Sequence, residues 1–373
     1  MNHPNAAFLL LVSTLFCGKI GVAQSAPTDN WSDPSPHHRE MIAVDQGVQL
    51  EVLDWGGSGR PLVFLSGLGN TAHIWDNFAP KFTGNHHVYA ITRRGFGRST
   101  HAAAGYTPDR LAGDVLEVMS QLKIVKPVLI GHSIAGEELS FIGTHHPERV
   151  AALIYLDAAY PYAFYDAAGD YAATLADLQQ EIDALAKTAD DIKLINQVKA
   201  LLPQFEANLI RKANTAENPL PPAFAPPTPA DKADFTAMTK RLAIAVGGVP
   251  PVAEPHESFL ATPDGGVGAP NSSPEAGSSI LKGVEHFTAP IQLPILAIMG
   301  YPQSKGPSFR ANTPKEIAAA AAADANQARQ IDAFEMGQPN AHVIRIANAN
   351  HYIFISNEAQ VLTEMNKFLD TLR

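Results

Sequence analysis

Short apolar runs rich in β-branched residues alternate along this chain with segments whose apolar positions return every three or four residues. The runs are Pro61 to Leu65, Val88 to Ile91, Val128 to Ile130, Val150 to Leu156, Ile291 to Gly300 and Ala341 to Ile346. Between them lie helical patterns: a short one holding Trp75 and Phe78, then Leu111 to Met119, Glu137 to Ile142, an alanine-rich stretch from Lys315 to Phe334, and Glu358 to Leu372. Apolar throughout, the runs predict strands buried on both faces, and the helical segments between them predict βαβ crossovers in a mainly parallel sheet. Met41 to Val44 and Val48 to Leu53 flank Asp45-Gln46-Gly47 and predict a hairpin ahead of that sheet.

The alternation stops near Tyr160 and resumes at Ile291. Residues 167–212 carry a helical pattern through Leu175, Leu178, Ile182, Leu185, Ile192, Ile195, Val198 and Leu201. Leu220 to Ala230 is proline-rich, and Ala261 to Ser279 is rich in Gly, Pro and Ser, as connectors are. The block 161–290 therefore predicts a mobile helical cap inserted between two parts of one core, 26–160 and 291–373. Residues 1–25 predict a signal peptide and hence export to the periplasm or medium. Ala6 to Phe16 is an apolar run too short to span a bilayer, followed by the small residues Gly21-Val22-Ala23 or Ala23-Gln24-Ser25. Lys19 sits late for such a signal, and a buried N-terminal helix is the alternative.

At 373 residues, 46% hydrophobic and 17% charged, the chain can bury one large core or a core with a cap. The net charge of −10, with no Lys/Arg run, excludes the basic surface that nucleic-acid binding needs. No stretch predicts a stable membrane span, and no oligomeric state follows from the pattern. Cys17, the one cysteine, lies in the predicted signal, so a processed chain holds no disulfide.

The candidate chemistry centres on Gly131-His132-Ser133-Ile134-Ala135-Gly136. A strand runs directly into a glycine-flanked serine and then into a helix. A hydroxyl on such a turn projects from the carboxyl edge of the sheet, and the helix N-terminus offers N–H groups to an oxyanion. Small residues are needed two positions either side of the serine. Gly131 and Ala135 meet that need, with Ala135 standing where glycine is usual. A serine that only caps a helix is the alternative.

With these motifs the chain resembles the α/β-hydrolase-fold serine hydrolases of the capped esterase and lipase type, from about Glu40 to the C-terminus. The His-Gly oxyanion turn of that family is matched by Ser66-Gly67-Leu68-Gly69, with Ser66 in place of the customary His. Its Arg-Gly-x-Gly-x-Ser turn is matched by Arg94 to Ser99, its elbow by Gly131 to Gly136, and its terminal histidine by His351. The resemblance implies a mainly parallel, eight-stranded-type sheet flanked by helices with a helical cap. It implies Ser133 as nucleophile, His351 as base, and the backbone N–H groups of Leu68 and Ile134 as oxyanion hole. A small apolar ester is the implied substrate, and no cofactor is needed.

Of fourteen histidines only His351 follows the last predicted strand and precedes the last helix. His132 is expected to point into the scaffold. His73 is a pocket candidate together with Trp75 and Tyr160, although a surface or packing role is the better reading for His73. The adjacent pairs His37/His38, His86/His87 and His145/His146 do not converge on a strand or helix, so no metal is assigned. In most of the family the triad acid follows the strand that here ends at Met299-Gly300, where Tyr301 to Lys305 contains no carboxylate. Some members place it one strand after the elbow helix, where this chain has Asp157. Asp157 is the chosen acid, with Asp324, Asp332 or Glu138, or no acid at all, left open. A serine at the elbow argues against epoxide hydrolysis and dehalogenation, which need a carboxylate nucleophile.

Overall fold

The computed structural model describes residues 31–159, 162, 164, 227–285, 287–304 and 314–372. The predicted signal peptide, the helical pattern of 167–212 and Tyr160 lie outside the described residues.

Each apolar run forms a strand. The strands are β1 (His38–Asp45), β2 (Val48–Gly56), β3 (Leu62–Leu65), β4 (Val88–Ile91), β5 (Val128–His132), β6 (Ala152–Leu156), β7 (Phe259–Ala261), β8 (Val267–Pro270), β9 (Ile295–Gly300) and β10 (Ala341–Ile346). All but β7 and β8 join in one eight-stranded sheet of order β1-β2-β4-β3-β5-β6-β9-β10. The hairpin β1–β2 pairs antiparallel, β2 joins β4 antiparallel, and every other pairing is parallel. This is the α/β-hydrolase fold.

The period-two alternation of side chains divides the core into two layers. Val63, Leu129, Leu153, Tyr155 and Ala297 face α1 (Pro108–Gln121) and α2 (Gly136–His145), together with Ile331 and Phe334 of the helix Pro314–Gly337. Phe64, Val128, Ile130, Ile154 and Ile298 face the other way, onto Trp75, Phe78, Phe82 and the C-terminal helix Glu358–Thr371, which contributes Val361, Met365 and Leu369. A sheet covered on both faces reads as unbroken apolar runs, which is why its strands stand out so clearly.

The described part of the predicted insertion, 227–285, is not purely helical. Helix α3 (Phe235–Val246) starts at Asp234, whose Oδ1 accepts the Ala237 amide at 2.7 Å, and stops at Gly247 in the left-handed region at φ 75°. After α4 (Ala253–Ser258) the stretch read as a connector forms the β7–β8 hairpin, and α5 (Ala276–Lys282) follows. Glycine and proline mark that hairpin's turn and edges, so composition alone pointed to a loop.

This segment is hydrogen-bonded to the loops at the carboxyl edge of the sheet. Gly97 N donates to Asn271 O at 2.8 Å and Ser273 N to Gly95 O at 2.7 Å. Glu254 accepts from Thr71 Oγ1 at 2.6 Å and from Asn70 Nδ2 at 2.8 Å, and Glu257 takes Arg98 in a two-point pair at 2.8 and 2.9 Å.

Candidate active site

Parallel strands bring their carboxyl ends to one edge, and the site lies there. Ser133 follows β5, Asp157 follows the adjacent β6, and His351 lies on the loop after β10. Ser133 has φ 55°, a left-handed conformation that costs a non-glycine residue about 1–3 kcal/mol and is held here by the surrounding packing. Room for the turn comes from its small neighbours. A Cβ on Gly131 would meet Leu139 Cδ1 at 2.8 Å, and one on Gly136 would meet the Ala158 carbonyl oxygen at 2.2 Å. The backbone contact is at Gly136, so Ala135 can carry its methyl group where the usual pattern has glycine.

His351 Nδ1 lies 2.7 Å from Asp157 Oδ2. A carboxylate only accepts, so Nδ1 carries the proton and Nε2 is left with the lone pair of a general base. Asp157 is itself held on both oxygens. Oδ1 accepts the Gly300 amide at 3.0 Å, and Oδ2 also accepts Gln303 Nε2 at 2.8 Å. The loop after β9 that lacks a carboxylate thus supplies two donors to the carboxylate on β6. Gln303, buried in that loop, is a site residue that sequence reasoning missed. Of the other acid candidates, Glu138 is paired with Arg93, Asp332 faces Arg345 at the surface, and Asp324 lies on the helix Pro314–Gly337.

His132 is buried beside His351. Its Nε2 donates to the His351 carbonyl oxygen at 3.0 Å, and the two rings lie 4.7 Å apart. Burial, with the neighbouring His351 as a second cause, holds its pKa well below the ordinary imidazole value, so it is a neutral strut for the His351 loop.

The Ser66–Gly69 loop passes over the elbow. A Cβ on Gly67 would come within 3.3 Å of Ser133 Cβ and 2.8 Å of His132 Nδ1. Leu68 and Ile134 pack in one apolar cluster with Phe96, Tyr106 and Ile280. Ser66, in place of the customary His, is a structural node: its hydroxyl donates to Thr71 O at 2.7 Å and accepts Trp75 Nε1 at 3.0 Å. Its carbonyl accepts Arg93 Nη2 at 3.0 Å, while Arg93 Nε pairs with Glu138 Oε1 at 2.6 Å. Arg93 thereby joins the Ser66–Gly69 loop to α2, the helix that follows Ser133. Arg93 stands just before the Arg94–Ser99 motif, and its partner was not evident from spacing.

Two expected pocket residues lie elsewhere. Trp75 is fully buried, its ring 4.1 Å from that of Phe354 and 5.1 Å from that of Phe64, so it belongs to the core. His73 is fully buried among carboxylates: its Nδ1 lies 3.1 Å from Asp33 Oδ2 and 3.3 Å from Asp76 Oδ2, and its Nε2 3.4 Å from Glu51 Oε1. Burial favours its neutral form, but the three carboxylates outweigh this and push its pKa up to about 12. Both side chains are enclosed by these contacts. Glu137, next to Glu138 on α2, is buried with its Oε2 accepting the Glu285 amide at 3.2 Å, and burial raises its pKa to about 9.

The family model of the alpha/beta hydrolase fold matches residues 60–240, and over that stretch the chain is similar to that superfamily. It is similar to a non-heme chloroperoxidase of Kitasatospora aureofaciens, 32% identical over 123 residues that make up 32% of this chain and 44% of that protein. It is similar to a bifunctional esterase/perhydrolase of Acinetobacter calcoaceticus, 31% identical over 122 residues, 32% of this chain and 44% of that protein. The chain thus spans less than half the length of these curated relatives. Among solved structures, E-2-(acetamidomethylene)succinate hydrolase superposes with a TM-score of 0.58 at 15% identity, covering 90% of this chain and 99% of that one, a likeness of fold. Among the described residues no helix is long and apolar enough to cross a membrane.

Proposed function

We propose that the protein is a serine hydrolase of carboxylic esters, with Ser133 as nucleophile, His351 as general base and Asp157 as the acid that orients it. The observation that carries this reading is the 2.7 Å contact between His351 Nδ1 and Asp157 Oδ2 on the strand beside the elbow. Ser133 Oγ attacks the acyl carbon as its proton passes to His351 Nε2. The oxyanion that forms accepts from the Leu68 and Ile134 amides, the alcohol departs with the proton from His351, and water repeats the sequence to release the acid. Asp157 keeps the imidazole in one tautomer and stabilises its charged form. The substrate class is a small-molecule ester with an apolar acyl or alcohol group.

A second reading, favoured by the relatives named chloroperoxidase and esterase/perhydrolase, keeps the acyl-enzyme and lets hydrogen peroxide take the place of water, giving a peracid. Amides, lactones and activated carbon–carbon bonds are further substrates that the same serine chemistry serves. We also propose export through the Ala6 to Phe16 segment. N-terminal sequencing of protein from the periplasm or medium should begin after Ala23 or Ser25, and an uncleaved N-terminus would refute it.

The deciding experiment is intact mass after treatment with an activated organophosphonate, alongside hydrolysis of short-chain aryl esters with and without peroxide. Labelling and turnover in the wild type, both lost in Ser133→Ala, support the reading. A folded wild type that takes no label overturns it in favour of a binding protein on the same fold.

A further inference from the structure

We propose that Asp33, His37, His73 and Asp76 form a closed binding site for one divalent transition-metal ion, with zinc the best fit. The site lies apart from Ser133, on the segment ahead of β1 and the turn Ala72–Trp75.

One donor atom from each of the four residues can be chosen so that all lie within 4.8 Å of one another. The contacts are 3.1 Å between His73 Nδ1 and Asp33 Oδ2, 3.3 Å between His73 Nδ1 and Asp76 Oδ2, 3.3 Å between His37 Nε2 and Asp33 Oδ2, and 3.0 Å between His37 Nδ1 and Asp76 Oδ1. Ligands about 2.0–2.1 Å from a tetrahedral zinc stand roughly 3.3 Å from each other, so the pocket needs only small adjustments to close around an ion. The side chains of His37, His73 and Asp76 are almost wholly inaccessible, and that of Asp33 is 12% exposed, as in a structural rather than a catalytic site. Asp33 Oδ2 is buried and makes no well-directed hydrogen bond although two imidazole nitrogens lie near it. A metal ion would take the lone pair that Oδ2 now turns toward those two nitrogens.

The surroundings supply the outer shell that a metal-bound histidine needs. His73 Nε2 faces Glu51 Oε1 at 3.4 Å, and Glu51 is fixed in turn by Thr92 Oγ1 at 2.8 Å. Glu257 also lies near His73, but Arg98 holds both of its oxygens, which places the ion on the side of Asp33 and Asp76. Charge points the same way. Asp33, Glu51, Asp76 and Glu257 bring four carboxylates against the two guanidinium groups of Arg39 and Arg98, so the cluster is acidic before any imidazole is counted. Two nitrogens and two oxygens suit zinc better than magnesium or calcium, which favour oxygen alone. The ion would staple residues 33–37 to the turn that follows the oxyanion loop.

The test uses the full chain, stripped with a chelator and dialysed against zinc sulfate, with metal content measured per protein. Cobalt(II) substitution adds the visible bands of a four-coordinate site. The wild type should retain one equivalent and melt several degrees higher with zinc than without. Asp33→Asn and His37→Gln, each checked for folding by circular dichroism, should weaken zinc at least ~100-fold, beyond the loss of an outer-shell partner. If the folded wild type retains no zinc, or if either folded variant retains it as well as the wild type, the proposal is wrong. If one variant fails to fold, the other decides. Organophosphonate labelling of Ser133 is independent of the outcome.

Discussion

Asp157 and Gly300 meet across neighbouring strands: the amide at the end of β9 donates to Oδ1 of the carboxylate at the end of β6, at 3.0 Å. In most of the fold the carboxylate itself stands near Gly300. Here donor and acceptor have exchanged strands, and the carboxylate still reaches His351. Asp157→Asn should therefore slow ester hydrolysis by roughly 10⁴-fold in kcat, through loss of the productive tautomer. Gln303→Ala should slow it by about tenfold to a hundredfold, because it removes one hydrogen bond to a charged group. Steady-state rates of the two variants on one aryl ester check both, and a near-normal Asp157→Asn would place the acid elsewhere.

Arg93 is a positioning residue in this scheme. Arg93→Met should lower kcat with little change in KM, since the anchor at the Ser66 carbonyl supports the loop that stabilises the transition state rather than the ground state. It should also lower stability by about 3–5 kcal/mol, because Glu138 is left buried without its partner. The double variant Arg93→Met/Glu138→Leu should recover stability but not kcat. Denaturation curves beside kinetics separate the two effects.

The elbow makes a sharp steric prediction. Gly136→Ala sets a methyl group against the Ala158 carbonyl oxygen and should destabilise the fold by about 1–3 kcal/mol or more. Ala135→Gly, at the position where the family usually has glycine, should cost about 1 kcal/mol and keep the fold. Melting temperatures of the pair test whether the small residue is needed at 135 or at 136.

Glu137 couples stability to pH. Its folded pKa is raised to about 9 against an ordinary value of 4.5, so the folded state holds a proton that the unfolded state releases between those limits. Its contribution is present in full below the unfolded value and is lost as pH rises through about 9. Glu137→Gln, which cannot ionise, should be relatively more stable than wild type at pH 9 than at pH 6. Urea titrations at the two pH values decide this, and parallel curves would refute it.

How much of this could be read from the residues alone follows from where each signal lives. The strands were legible because burial on both faces leaves unbroken apolar runs, and Ser133 and His351 because each follows such a run. Asp157 stood out as a carboxylate at the end of the strand beside the elbow. Gln303 and Arg93 were not legible: their partners are backbone groups or residues far along the chain, and their own types are common on surfaces. For His73 a surface or packing role was the better reading, but its partners were hidden: Asp33 and Glu51 come from segments 40 and 22 residues away in number. The β7–β8 hairpin was hidden by its glycines and prolines.

The grip of Glu254 on Thr71 and Asn70, and of Glu257 on Arg98, bears on how this protein can be re-engineered. The helix that carries both glutamates is wired into the loop that follows the oxyanion turn. A chimera that takes its insertion from a relative would leave Thr71, Asn70 and Arg98 facing empty sockets. Transplants that keep Ala253–Ser258 as host sequence, and exchange only what lies before it, should fold where wholesale exchange fails.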